Sequence, residues 1–390
     1  MIKVGKAFTK EDFDSCCFVK TNKEHFVYNG IELTAENIWE MNESQREEVI
    51  DYIIGECRKN GFPYKQLLYN IYNSDDYVFL ELDKFRRSDE TKIVSKNGLI
   101  KNAGKMCLDI CRYMNQDIFW KSRGDDGTIS IEEAYNDDDV LRNVLRNRMG
   151  WCTTTERGCE EPYIFDMSYE MIIQGIRSSR VGFAASNFKP IIAKYIYGKY
   201  LKYGDKVFDY SCGWGARMIA AWSLNLQYIG VDPLTADNLK TFDKRYLDGD
   251  FDIYKSCSES KIAYNRVRKK YGNVDMCLSC PPYFTLEKYS DNEKQCYNKF
   301  DNYKDWITKY WRKTVKNCYS ILKDGGYFVL IIKDKYDTFN LKDDMCKVIE
   351  KCGMTIVETL QYDSSRDHLT QKRKTGVVMN NSEYILVYKK

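Results

Sequence analysis

Two consecutive prolines constrain this chain more than any other feature of its sequence. In Ser279-Cys280-Pro281-Pro282-Tyr283-Phe284 they follow the apolar run Val274-Asp275-Met276-Cys277-Leu278. A proline pair removes two backbone donors and fixes two φ angles, so a strand cannot continue through it. The chain must turn there in a stiff loop, with its carbonyls pointing outward and Tyr283 held at the end of a buried strand. In an open α/β sheet that edge is where ligands bind. A rigid carbonyl beside an aromatic ring suits gripping a flat heterocycle while accepting hydrogen bonds from its amino group. The plainer reading is a tight turn after a strand.

A second signal lies upstream. Val207-Phe208-Asp209 reads as a short strand, Tyr210-Ser211-Cys212-Gly213-Trp214-Gly215 as a glycine turn, and Met218 to Trp222 as the helix that follows. Glycines permit positive φ and close backbone approach to a ligand, and a helix start favours an anionic group. Taken alone, GxG is equally an ordinary turn. The next strand, Gln227 to Val231, ends in Asp232-Pro233, where an acid is placed to accept from both hydroxyls of a ribose. Met218 stands where a dinucleotide fingerprint needs its third glycine, which disfavours NAD. A nucleoside carrying an amino acid fits better.

Together these segments resemble the class I methyltransferases that use S-adenosyl-L-methionine (AdoMet), and specifically the DNA amino-methyltransferases acting on adenine N6 or cytosine N4. Asn187-Phe188-Lys189-Pro190 is similar to the family's Phe-x-Pro segment, so the resemblance implies that Phe188, Lys189 and Pro190 hold the methionine end of the cofactor. Asp209, Ser211, Cys212, Gly213 and Gly215 match its Asp-Pro-x-x-Gly-x-Gly loop, with Tyr210 in place of the proline. Asp232 and Pro233 match the ribose-binding position, and Ser258-Glu259 the adenine contact. Cys280-Pro281-Pro282-Tyr283 matches the catalytic tetrapeptide, whose first residue is normally Asp, Asn or Ser. The extended form, with Leu286-Glu287-x-Tyr289-Ser290, also resembles methylases of bacteriophage genomes. The likeness spans roughly residues 180 to 390.

The resemblance implies a doubly wound, Rossmann-like α/β sheet and transfer of a methyl group to an exocyclic amine of DNA. Because the amine's lone pair is delocalised into its ring, two acceptors help release it: the carbonyl of Pro281 and a group from residue 280. A Cys280 thiol accepts poorly. Ser279 supplies a hydroxyl if the register is offset by one, and burial at a strand end is the plain reading of Cys280. Tyr283 would stack on a base that is flipped out or single-stranded. Two rivals remain: a methyltransferase of this fold acting on RNA or a protein glutamine, and a nucleic-acid binder silenced by Cys280.

With 390 residues, a methyltransferase core leaves room for a second unit. Residues 1–165 are expected to form a mainly helical domain, with target recognition or packing as its role, and 166–390 the AdoMet domain. Helices are expected over 43–59, over 98–114 with Cys107 and Cys111 on its apolar face, and after Asp137-Asp138-Asp139; a long one is expected over 303–322. The longest apolar run, Tyr327 to Ile332, is strand-sized, and Met1 to Lys10 lacks the apolar core of a secretory signal. A cytoplasmic protein with no membrane partner is expected. The 15 cysteines are odd in number and accompany only two histidines, so reduced thiols and no metal are expected, Cys277-x-x-Cys280 included. A formal charge of +3 conceals basic clusters at Arg142/Arg146/Arg148, Arg266/Arg268/Lys269/Lys270 and Arg366/Lys372/Arg373/Lys374, each a phosphate contact or a solvated face. Oligomeric state is not legible.

Overall fold

A computed structural model describes residues 24–94, 99–100, 104–124, 128–153, 162–183, 185–333, 339–362 and 383–390. Among the described residues the α-helices of seven residues or more that precede the main sheet are, in chain order, α1 (Glu43–Asn60), α2 (Asp75–Arg86), α3 (Leu108–Met114), α4 (Asp138–Arg148), α5 (Tyr169–Ser178) and α6 (Pro190–Tyr200). The described residues fall into two compact units: those of Met1–Tyr69 with Trp120–Ala185, and those of Asn70–Phe119 with Ser186–Lys390. The chain therefore passes between units three times, where composition suggested one boundary at residue 165. No helix among the described residues is long and apolar enough to cross a membrane.

In the first unit α1 starts from an Asn42–Gln45 capping box and stops at Gly61, while Asp137 caps α4 by accepting from the amides of Asp139 and Val140. A side chain at Gly175 would meet Val144 Cγ1 at 2.5 Å, so glycine is what lets α5 lie against α4. Arg142 and Arg146 of α4 pair with Glu47 and Asp51 of α1. Arg148 is buried over the Phe165 ring. That basic cluster is engaged within its own unit.

The second unit is built on seven strands: β1 (Lys206–Asp209), β2 (Gln227–Val231), β3 (Asp252–Tyr254), β4 (Val274–Ser279), β5 (Leu322–Lys333), β6 (Thr355–Tyr362) and β7 (Glu383–Lys389). They lie in the order β3-β2-β1-β4-β5-β7-β6, and only β7 runs against the rest. The central strands β1, β2 and β4 read as near-continuous apolar runs because both faces are covered. Alternate residues serve opposite cores: Val207, Met276, Leu278, Val329 and Ile331 on one face, Phe208, Cys277, Phe328, Leu330 and Ile332 on the other. The crossovers are α7 (Ala216–Ser223), α8 (Ala236–Tyr246), α9 (Lys261–Tyr271), α10 (Arg312–Ile321) and α11 (Leu341–Lys351).

Two expected helices differ from their patterns. Among its described residues the one expected over 98–114 is helical as α3 alone: Gly104 and Cys107 take φ of 71° and 60°, and Ile100 forms a bridge with Tyr362 instead. Cys107 and Cys111 are buried as expected, beside Ile110 and Met114; Ala103 lies outside the described residues. The long helix expected over 303–322 is interrupted between Trp306 and Trp311 by a π-helical stretch, which lets Trp306, Tyr310 and Trp311 all be buried.

Segment 70–119 packs on the face that carries α6 and α7, contributing Val78, Leu82, Phe85, Ile110 and Met114 to one core with Ile192, Ile196 and Ile219. It is pinned by Lys194 of α6. This lysine is 1 % exposed, and its Nζ donates to the carbonyls of Phe85, Arg86 and Ser88 at 2.9, 3.0 and 2.7 Å. It thereby caps the C-terminal end of α2. Lys194→Met keeps the stem and strips those carbonyls of their donor. The expected loss of unfolding free energy is about 2 kcal/mol, measured by urea denaturation; an unchanged midpoint would refute the capping role.

Candidate active site

The carboxyl ends of β1, β2 and β4 meet at one point of the sheet. At the tip of β1, Asp209 is fully buried and accepts from Arg217 Nε at 2.7 Å, Tyr228 Oη at 2.8 Å and the Ser211 amide at 3.2 Å. Arg217, on the first turn of α7, also donates to the Ser211 carbonyl and lies over the Phe188 ring at 5.3 Å. Burial works against the Arg217 charge, but Asp209 and Tyr228 more than offset it, so the guanidinium's pKa stands above its ordinary value. The glycine loop is thus shaped by a buried ion pair. The sequence pattern held the clue, an arginine eight residues after the aspartate, but the resemblance gave it no role.

Gly213 and Gly215 take φ of 55° and 83° and face different surroundings. A side chain on Gly215 would strike Leu239 Cδ2 at 2.7 Å and Met114 Cε at 3.0 Å, whereas one on Gly213 would meet nothing nearer than 3.6 Å. Gly215 is needed for packing, whereas a Cβ on Gly213 would make only ordinary contacts, the nearest with Arg217. Cys212 is 1 % exposed and sits where a side chain on Gly230 would be. Tyr210, the departure from the family's proline, stacks on Phe328 and donates to the Val329 carbonyl at 3.1 Å. It ties the tip of β1 to β5.

Asp232 accepts from the amides of Gly213, Leu234 and Thr235 at 3.1, 2.9 and 3.0 Å. Burial raises its pKa against these three donors. The aspartate holds the two loops together, and Pro233 beside it is half-buried. Glu259 is ion-paired with Lys299 at 2.5 Å, which draws in the segment 285–302 that follows the proline pair. Both polar atoms of the Asn187 amide have no hydrogen-bond partner among the described residues. Phe188 and Lys189 are half-buried at the start of α6, which Pro190 opens.

At the tip of β4, Ser279 Oγ donates to the Ser211 carbonyl at 2.9 Å. Its hydroxyl proton is therefore committed to joining β4 to the glycine loop. The Cys280 sulfur is 3.1 Å from Tyr283 Oη, which in turn reaches the Ile331 carbonyl at 3.3 Å. Burial, then Glu383, pushes the Cys280 thiol up to about 12, so it is neither a thiolate nor a strong acceptor. No donor among the described residues reaches the Pro281 carbonyl. Tyr283 is only 9 % exposed, less than an open stacking platform would be. Phe284 adopts φ of 54°, rare for a bulky residue, and is held there by Tyr303, Trp306 and Phe339. Two carboxylates that no motif announced, Glu287 and Glu383, bear on the same loop, each with a pKa raised chiefly by burial.

A sheet in this order, reversed only at its penultimate strand position, with a glycine loop after β1 and an acid at the tip of β2, is the doubly wound, Rossmann-like fold of AdoMet-dependent methyltransferases. Residues 274–390, which carry the Pro-Pro loop, match the N6/N4 DNA methylase family model. The match takes in the Pro-Pro loop and the strands β4 to β7. No curated protein matches the chain. Among solved structures it is similar to TrmN from Thermus thermophilus, at 12 % identity over 52 % of this chain and 48 % of that one, TM-score 0.34. It is similar also to Aeropyrum pernix fibrillarin with natively bound S-adenosyl-L-methionine, at 13 % identity over 51 % and 74 %, TM-score 0.33. A TehB-like SAM-dependent methyltransferase from Corynebacterium glutamicum matches at 12 % over 57 % and 96 %, TM-score 0.34. The match spans about half the length of TrmN.

The residues present fit AdoMet: a loop with positive φ at Gly213 and Gly215, and beside Phe188 an Asn187 amide whose polar atoms have no hydrogen-bond partner among the described residues. No group of three or more His, Cys, Asp or Glu among the described residues is placed to hold a metal. The basic cluster Arg366/Lys372/Arg373/Lys374 lies outside the described residues. In the remaining cluster, Lys270 pairs with Asp252 and Arg266 lies over Tyr254.

Proposed function

We propose that the target is a base of DNA, flipped out of the duplex or single-stranded, whose amine is gripped by the Pro281 carbonyl with Tyr283 beside it. The observation that carries this reading is the stiff turn at the end of β4, with an unclaimed carbonyl at Pro281 and a tie from Ser279 to the glycine loop. Bound AdoMet supplies an electrophilic methyl group. In our reading Phe188, Lys189, Pro190 and the Asn187 amide receive its methionine end, Ser211, Cys212, Gly213 and Gly215 form the loop around it, and Asp232, Pro233 and Glu259 line its nucleoside end. Asp209 acts one step back, through Arg217. The protein's work is alignment of amine and methyl, which accounts for large accelerations without acid or base groups of unusual strength. We assign the protein to the cytoplasm, and its N-terminal unit a part in choosing the target.

Nucleoside mass spectrometry on DNA incubated with the protein and isotopically labelled AdoMet tests the reading. Labelled N6-methyladenine or N4-methylcytosine is expected. Label on RNA or on a glutamine side chain, with none on DNA, would replace it with the corresponding rival. AdoMet and DNA binding without transfer, with transfer gained in Cys280→Asn, would identify a silenced binder; the raised thiol pKa at Cys280 is the observation that keeps this second reading in view.

A further inference from the structure

Cys280 leaves the target amine one acceptor short, and the sheet brings a candidate replacement to the same edge. Glu383 opens β7 directly opposite Lys333 of β5, and two residues along the ladder Ile385 faces Ile331. The Ile331 carbonyl is where Tyr283 is anchored. Because β5 runs parallel to β4, with Leu330 level with Ser279, Lys333 and Glu383 lie beyond the end of β4, on the side where the Cys280–Tyr283 loop emerges. Glu383 is half-buried, and its carboxylate has no hydrogen-bond partner among the described residues. Glu287 is already occupied, accepting from the Tyr289 hydroxyl and the Ser186 amide.

The charged and titratable groups facing Glu383 are Lys333 on β5, Lys189 at the start of α6, Glu287 after the loop, and Cys280 and Tyr283 within it; Tyr362 stands across from it on β6. Apart from burial, Glu383 is the largest influence raising the pKa of the Cys280 thiol, whereas the hydrogen bond to the Tyr283 hydroxyl 3.1 Å away lowers it. Strand register and charge thus put the carboxylate at the sheet edge from which the Cys280 loop emerges.

We propose that Glu383 is the second acceptor for the target amine, in the place that the Cys280 thiol fills poorly, and that it takes the proton the amine gives up. This rests on the amine-methyltransferase reading above. The nitrogen lone pair forms the new N–C bond while the methyl's bond to sulfur breaks and its electron pair stays on sulfur. The nitrogen then carries one proton too many. That proton passes to the Glu383 carboxylate and from there to water, restoring the site. Only the ionised carboxylate serves, and burial together with Glu287 raises the pH at which it ionises. Activity is therefore lost on acidification at a pH above the ordinary glutamate range.

The full-length protein tests this with Glu383→Gln, Glu383→Asp and the double variant Glu383→Gln/Cys280→Asp, AdoMet affinity serving to show that each is folded. The single-turnover methylation rate in Glu383→Gln is expected to fall about 10- to 100-fold and to lose its acid limb, with partial retention in Glu383→Asp and recovery in the double variant. A second readout needs neither cofactor nor DNA. Iodoacetamide modification of Cys280, followed by peptide mass spectrometry, is expected to be several-fold faster in Glu383→Gln, because the charge opposing the thiolate is gone. Unchanged rate and pH profile in an active wild-type background, or unchanged Cys280 modification, would overturn the inference. A wild-type protein that modifies no DNA while Cys280 still responds to Glu383 would sink the substrate reading and leave the geometry standing.

Discussion

Alanine at Tyr283 is expected to reduce methyl transfer by about 100-fold or more, with AdoMet affinity nearly intact in the fraction that remains folded. The ring is 9 % exposed and belongs to the core beneath the Pro-Pro loop, so its removal is also expected to lower stability by about 3 to 5 kcal/mol. Activity must then be read below the lowered unfolding midpoint. Tyr283→Phe separates the two effects: it keeps the ring and gives up only the contacts to Ile331 and Cys280, an expected change of about 1 kcal/mol with most turnover retained. A folded Tyr283→Ala protein that turns over at the wild-type rate would remove Tyr283 from the substrate site altogether.

The second large effect is expected at Arg217. Arg217→Met leaves the Asp209 carboxylate buried with its main counter-charge gone, a loss of about 3 to 5 kcal/mol. It also frees the Ser211 carbonyl, so AdoMet affinity measured by calorimetry should fall with stability. Adding Asp209→Asn removes the stranded charge and is expected to recover part of the stability without recovering the affinity, because the loop's shape depends on both partners. Single and double variants of equal stability would show that the pair contributes nothing.

Much of the methyltransferase half was readable because its punctuation is local. Pro190 begins α6, Gly215 precedes α7, and the apolar runs of β4 and β5 end where prolines or charges interrupt them. Spacing alone misled at α3, where a glycine and a left-handed cysteine delay the helix to Leu108. It also missed the division of labour among the loop residues: Asp209, read as a cofactor contact, has its carboxylate taken by Arg217, Tyr228 and Ser211. Glu383 carried no signal at all. It comes to the sheet edge where the Cys280 loop emerges because β7 inserts between β5 and β6, a non-local pairing that no spacing in the sequence encodes.

Segment 70–119 belongs with the catalytic sheet although residues of the other unit flank it on both sides in sequence. During synthesis its apolar helices leave the ribosome well before Lys206 and the first sheet strand exist, so Val78, Leu82 and Phe85 must wait without their final surface. A chain of this kind invites chaperone protection or exchange of the waiting segment between two nascent copies. It also cannot be trimmed at one point: a truncation before residue 150, meant to remove only an accessory domain, would take part of the enzyme's own core with it.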